Sequence, residues 1–141
     1  MLVPKQIKAS QFTYRIKKQW GQIYWFDFGE ASSGQRTFAE VHPALIISNP
    51  QRTLPGTVLI TPFTGFEHKR PNYEFHVDIP KAECPELDKD SVFKIDQIFC
   101  VEDRLLPDQY YIGELPELLL RKVYSKLIKV LNFDIFAIPK Q

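Results

Sequence analysis

The stretch that decides the fold is VHPALIISN, residues 41–49. Its apolar centre is short and rich in isoleucine, and the turn-forming pair Asn49-Pro50 follows it, which predicts a β-strand buried on both faces. Pro43 restricts the preceding residue to extended backbone geometry, so His42 is expected at the start of this strand with its ring near solvent. A histidine in this position either serves in chemistry or simply packs at the edge of the core.

Alternating or β-branched apolar residues predict further strands on both sides of this stretch. Each alternation directs one set of side chains toward the core and the other set toward the opposite face of the sheet. The third strand is β-branched in its centre, and Pro62 is expected to end or bulge it because proline has no amide hydrogen for the ladder. The predicted strands cover residues 22–28, 44–48, 57–61, 73–79 and 91–99.

Two of these strands carry polar side chains on the face away from the core. His76 alternates with apolar neighbours in the fourth strand and is expected to be solvated. In the fifth strand Phe93 and Ile95 face the core, while Lys94 and Asp96 share the opposite face. These two opposite charges form either an ion pair or part of a binding site.

The C-terminal part of the chain has helical spacing. Residues 116–131 place Leu120, Val123 and Leu127 three and four positions apart with basic residues between them, and Pro116 stands near the first turn. Several short strands followed by one helix predict a mainly β (α+β) fold, a small and strongly bent barrel with a C-terminal α-helix packed on it.

Composition bounds the class of protein. The 141 residues suit one domain, and the 44% hydrophobic and 25% charged fractions are typical of a soluble globular protein. No apolar run is long enough to cross a bilayer, and no secretory signal is recognisable at the start, so no membrane association is expected. Cys84 and Cys100 are too few for a disulfide framework and are interpreted as reduced thiols of a cytoplasmic protein.

The charge is distributed unevenly along the chain. All five charged residues before Asp27 are basic, whereas acidic residues outnumber basic ones in the remainder. Residues 1–19 have no clean period and are interpreted as a basic N-terminal extension, with residues 20–141 as the barrel domain. Clustered Lys and Arg beside Tyr14 and Trp20 suit phosphates and stacked bases, but a solvated charged face explains the same pattern.

Two polar segments beside predicted strands are candidate functional loops. Residues 29–39 contain Arg36, and residues 63–71 contain Lys69 and Arg70. The histidines and cysteines lack the close paired spacing of a zinc motif, and no glycine-rich phosphate loop follows a strand. No metal or cofactor is therefore expected.

Four strings, in order, resemble the MazF/PemK family of toxin endoribonucleases from bacterial toxin-antitoxin pairs. They are GQIYWFDF at 21–28, HPALIIS at 42–48, the segment 90–98, and the helix that follows residues 113–115. The similarity extends from about Gln19 to Leu131.

This resemblance implies an SH3-like β-barrel with a terminal helix, and an enzyme that cuts single-stranded RNA without a metal. It also implies an antitoxin protein as partner and a homodimer, which apolar residues expected to be exposed, such as Phe99, Phe133 and Phe136, would favour. In the family, the arginine before the proline and a threonine or serine after the third strand carry much of the catalysis. They correspond to His42 and Thr64.

Thr64 agrees with the family pattern, but His42 stands where the family has arginine. Arginine is always charged and grips phosphate through two hydrogen bonds, whereas histidine can give or take a proton. In one interpretation His42 and Thr64 are catalytic, and the substrate-binding residues are Arg36, Lys69, Arg70, Lys94 and Asp96. In the other the chain is a degenerate, non-catalytic SH3-like barrel that binds an antitoxin-like protein or nucleic acid.

Overall fold

The structure is a computed structural model that describes residues 7–30, 32, 40–65 and 75–136. Across these residues the chain forms seven strands, one α-helix and several short 3-10 turns. The strands are β1 (Gln22–Asp27), β2 (Val41–Ile46), β3 (Thr57–Gly65), β4 (His76–Ile79), β5 (Ser91–Lys94), β6 (Phe99–Glu102) and β7 (Tyr111–Glu114), and the helix is α1 (Glu117–Val130).

All strand pairs are antiparallel, and the order across the sheet is β4-β5-β3-β2-β1-β7, with β6 paired to β3 as well. The long strand β3 organises the curvature, because its first half pairs with β6 and its last residues pair with β5. The result is a curled antiparallel sheet followed by a C-terminal helix. This confirms the predicted mainly β (α+β) barrel with a terminal α-helix.

The sheet buries apolar side chains on both faces. One cluster lies between the sheet and α1 and includes Leu45, Phe63 and Val123, while the second lies on the reverse face and includes Ile46 and Ile60. Neighbouring residues of β2 alternate between the two clusters, as strand geometry requires. The prediction that the decisive stretch is buried on both faces is therefore confirmed.

The helix packs through a face that differs by one residue from the predicted one. Leu119 is 3% exposed and packs with Val123 and Leu127, whereas Leu120 is only half-buried. The Tyr124 hydroxyl donates a hydrogen bond of 2.7 Å to the carbonyl oxygen of Ile47. This bond ties the helix to the end of β2. No described helix has both the length and the apolar character that crossing a bilayer would need.

Several strand boundaries differ from those predicted, including β2, which spans Val41–Ile46 rather than 44–48, and the differences at β3 and β5 have a clear cause. β3 continues through Pro62 to Gly65, because β5 takes over as partner where pairing with β2 ends. The predicted fifth strand is broken by a turn into β5 and β6, and the Thr61 hydroxyl donates to the carbonyl oxygen of Lys94 at this break, at 2.9 Å. β7 was not predicted.

β4 alternates as predicted over the residues that the structure describes. Val77 and Ile79 are buried and Asp78 is exposed. His76, however, is half-buried rather than solvated, because it lies opposite Lys94 of the neighbouring strand.

Candidate active site

His42 is the second residue of β2 and lies opposite Phe26 of β1. Its side chain is half-buried, while Pro43 next to it is buried. The predicted extended backbone and partial exposure of His42 are both observed. Paired residues of antiparallel strands share a face, so the imidazole lies on the Phe26 side of the sheet.

Thr64 lies inside β3, opposite Val92 of β5, and is 6% exposed. The prediction that Phe63, Thr64 and Gly65 belong to an open polar loop after the third strand is therefore wrong. On the reverse face the Phe63 ring packs edge-on against Phe93, with ring centroids 4.2 Å apart. This contact fixes the backbone that carries Thr64.

The register between β2 and β3 brings His42 toward Thr64. Ala44 pairs with Pro62, and this is the last pair of the ladder. Two residues beyond this pair, β2 carries His42 and β3 carries Thr64, so the two residues lie just past the end of the same ladder. Side chains two positions apart share a face, so both lie on the same face as Ala44 and Pro62.

The same face continues onto the neighbouring strands. Val92 pairs with Asp78, so Thr64 and Asp78 flank Val92 in one row across the sheet. Lys94 pairs with His76 in the next row. His42, Thr64, Asp78, Lys94 and His76 therefore belong to one polar face.

Sequence patterns alone had indicated only part of this face. Lys94 is half-buried and lies on it, as the substrate-binding prediction requires. Asp96 is exposed in the turn after β5, so the prediction that it shares a strand face with Lys94 is wrong. His76 and Asp78 were not proposed as site residues, because only the pairing of β4 with β5 brings them beside Thr64.

Three predicted substrate-binding residues, Arg36, Lys69 and Arg70, lie outside the described residues. His42, His76, Asp78 and Lys94 each take part in further interactions within the protein. Within the described ranges, no three His, Cys, Asp or Glu side chains gather in an arrangement that could hold a metal ion. Burial beside Glu86 raises the pKa of the Cys84 thiol to about 11.

An aromatic group adjoins the polar face at His42. Phe26 packs against Phe28 with ring centroids 4.7 Å apart, and Phe28 packs against Phe99 at 5.0 Å. All three rings are half-buried, including Phe99, which was expected to be exposed. Half-exposed rings beside proton-transferring side chains suit an unpaired nucleic-acid strand, whose bases stack on aromatic residues.

The polar face has the groups that phosphate chemistry needs. An imidazole can accept or donate a proton near neutral pH, a threonine hydroxyl can donate a hydrogen bond to a phosphate oxygen, and a lysine can balance developing negative charge. Thr64 Oγ1 lies on this face beside β5, where its hydroxyl is placed among these groups.

Comparisons with known proteins agree with this geometry. A family model described as a PemK-like, MazF-like toxin of type II toxin-antitoxin systems matches residues 19–131. No curated protein matches the chain.

Solved structures resemble the fold. A mycobacterial endoribonuclease in complex with its cognate antitoxin matches at a TM-score of 0.62 and 21% identity, over 89% of this chain and 100% of that one. MazF from Deinococcus radiodurans matches at 0.62 and 21%, over 82% and 96% of the two chains. A MazE–MazF complex from the same organism matches at 0.59 and 21%, over 82% and 96%. Because the family model covers most of its length, this chain belongs to the PemK-like, MazF-like toxins of type II toxin-antitoxin systems.

Proposed function

We infer that the protein is the toxin of a type II toxin-antitoxin pair and that it cleaves single-stranded RNA as an endoribonuclease. The observation that supports this site is that the β2–β3 ladder ends two residues before both His42 and Thr64, which lie on one face of the sheet. Family membership supports the same conclusion. Lys94 in the next row supplies a positive charge for the phosphate.

The proposed reaction uses the ribose 2′-hydroxyl as nucleophile. A base removes its proton, the 2′-oxygen forms a bond to phosphorus, and the bond from phosphorus to the 5′-oxygen breaks. An acid then protonates the departing 5′-oxygen, leaving a 2′,3′-cyclic phosphate and a 5′-hydroxyl. Bonds and protons balance without any other reactant.

We propose that His42 is the group that moves the proton and that Thr64 stabilises the crowded phosphorane. Histidine is suited to this role because its ordinary pKa of about 6.5 allows both protonation states near neutral pH. Thr64 lies in a largely water-excluded position, where a hydrogen bond to an anionic oxygen is stronger than in water. Arginine at position 42 would stabilise charge but could not accept a proton.

The test is the cleavage rate of a fluorogenic RNA over a range of pH. His42→Ala is expected to lose about 10² to 10⁴ in rate. Ser125→Ala, which removes a hydroxyl from the exposed side of α1, is the control for Thr64→Ala. A substrate with 2′-deoxyribose at the cleaved position should resist the enzyme. Wild-type cleavage that survives both His42→Ala and Thr64→Ala would place the active site elsewhere.

Two partners and a location follow from this function. We propose an antitoxin protein as the inhibitor, and a homodimer as the assembly, because apolar side chains at the ends of α1 and beyond it are exposed. Leu118 is 76% exposed, Phe133 62% and Ile135 69%. Since the substrate is cellular RNA, we propose that the protein acts in the cytoplasm. Sedimentation that finds only monomer at micromolar concentration would contradict the homodimer.

A further inference from the structure

The N-terminal segment, defined here as residues 7–20, is held against the 3-10 turn Asp108–Tyr110. The Asp108 carboxylate accepts hydrogen bonds from the Thr13 hydroxyl at 2.8 Å, the Arg15 amide at 2.7 Å and the Ile16 amide at 3.0 Å. The Asp108 amide in turn donates to the carbonyl oxygen of Thr13 at 2.9 Å. A carboxylate with several backbone donors is a strong anchor for an extended segment.

Further contacts hold this segment on either side of the residues that bind Asp108. The Phe12 ring packs edge-on against Tyr110, with centroids 5.5 Å apart. Near the other end, the Gln22 amide group donates to the carbonyl oxygen of Lys17 at 2.8 Å. The segment therefore presents a defined surface.

A groove of about 600 Å³ runs between this segment and the turn that follows β2. Tyr14 and Trp20, which are 52% and 50% exposed, stand among its lining residues. Lys17, Lys18 and Arg104 line it with three positive charges, against the single acid Asp103. Cationic and aromatic side chains that line one groove suit a strand with phosphates and unpaired bases.

Lys18 and Arg104 already have partners within the protein, but these partners hold them weakly, and the Lys18 ammonium donates only one long hydrogen bond of 3.5 Å, to the carbonyl oxygen of Ile16. The Lys18 ammonium lies 5.0 Å from the centroid of the Tyr24 ring and 6.0 Å from that of Tyr14, and burial lowers the pKa of this lysine. A partly desolvated ammonium interacts more strongly with phosphate than one in water. Arg104 pairs with Glu102 on the surface, and exposed pairs of this kind contribute little to stability. The guanidinium can therefore turn to a phosphate at small cost.

Trp20 also borders a second recess of about 400 Å³, whose charged lining residues are Glu114 and Glu117. Trp20 thus lines both the basic groove and this acidic recess. A polyanion is attracted to the first and repelled by the second, so charge decides which of the two a strand would occupy.

We propose that the basic groove binds single-stranded RNA, as a second contact surface for the strand that is cut at His42 and Thr64. This proposal rests on the proposed function. The groove reaches Asn49 at the far end of the decisive stretch, seven residues from His42, which is at most about 23 Å of extended chain. Roughly six or seven nucleotides, at about 3.4 Å each when stacked, would join the two surfaces.

The first test measures binding directly. A fully 2′-deoxy strand of about 12 nucleotides cannot be cut and should quench Trp20 fluorescence in a Trp25→Phe background. Lys17→Gln with Lys18→Gln should reduce the slope of log affinity against log salt by about 1.4, since each phosphate contact contributes about 0.7 on a single strand.

The matched control for that double variant is Lys122→Gln with Lys129→Gln, which removes two exposed charges from α1. This control should leave the slope unchanged. Equal slopes for both double variants would overturn the proposal. Polyglutamate of the same charge should neither quench Trp20 nor bind as tightly, and if it does both, the groove accepts an acidic protein segment instead.

The second test uses cleavage and separates this proposal from the proposed function. Trp20→Leu should lower the ratio of kcat/KM for a substrate of about 12 nucleotides to that for one of about five by about fivefold, because only the longer strand reaches the groove. An unchanged ratio would overturn the proposal. If the wild type cuts neither substrate, the endoribonuclease assignment fails, and the binding test alone decides whether the groove holds RNA.

Discussion

Replacing Thr64 by valine and by serine should separate its hydroxyl from its packing. Valine keeps the branched shape and loses the oxygen, while serine keeps the oxygen and loses one methyl group. Thr64 is 6% exposed and pairs with β5, so both changes alter packing inside the protein rather than at its surface.

Each variant should change one quantity and leave the other nearly unchanged: serine should change stability, and valine should change the rate. Thr64→Ser removes one buried methyl group and is expected to lower the free energy of unfolding by about 0.8 to 1.5 kcal/mol. Thr64→Val preserves the contacts of the methyl group and exposes no unsatisfied partner among the described residues, so its stability should stay within about 1 kcal/mol of the wild type. The valine variant, however, loses the donor that faces the phosphorane and should lose about 10² to 10³ in kcat.

Thermal unfolding and single-turnover cleavage on the same preparations provide the measurement. The expected pattern is a serine variant that is less stable but active, and a valine variant that is stable but nearly inactive. A valine variant with wild-type kcat would show that the Thr64 hydroxyl takes no part in the chemistry. A serine variant as slow as the valine variant would show that packing at Thr64, and not its oxygen, controls the rate.

Three further predictions test the fold. Tyr124→Phe removes the hydrogen bond from α1 to β2 and should lower the free energy of unfolding by about 0.5 to 1.5 kcal/mol in a denaturant titration. The pKa of Asp108 is lowered chiefly by its hydrogen bond from the Arg15 amide, so its stabilisation of the N-terminal segment is present above its ordinary pKa and lost as pH falls through the lower folded value; the hydrogen-exchange protection factor of the Arg15 amide, taken relative to the intrinsic rate at each pH, should fall in Asp108→Asn at neutral pH, and in the wild type only in acid. Leu119→Ala should cost about 2 to 5 kcal/mol and Leu120→Ala clearly less, and equal losses would contradict the observed helix face.

The sequence predicted those elements whose burial is visible in a short, local pattern of residues. Residues 44–47 are apolar without interruption, and such a run is expected where both faces of a strand are covered, as they are here. Position 42 could be related to position 64 because each lies near an end of an adjacent antiparallel strand. The correspondence of both positions with the family pattern strengthened that expectation.

The remaining features depend on partners that are distant in the chain. Pro62 was expected to end or bulge β3, but a second partner, β5, continues the ladder beyond it. The break after Lys94 is made where its carbonyl oxygen bonds the Thr61 hydroxyl, 33 residues away. Neither contact leaves a signal in local periodicity. The same applies to His76 and Asp78, which join the polar face only through the pairing of β4 with β5.

The histidine at position 42 could serve the site in two ways, as a positive charge or as a proton acceptor. A histidine can gain or lose its charge in the physiological pH range, whereas an arginine stays charged, so the two residues would respond differently to pH at this position. If His42 acts through charge, as an arginine would, the rate should fall as pH rises and the imidazole loses its proton, and His42→Arg should abolish that fall. If His42 acts as the base, the rate should rise to a plateau across the same range, and His42→Arg should be as slow as His42→Ala. The sign of the slope between pH 6 and 8 therefore distinguishes an arginine substitute from a proton acceptor at the same position on β2.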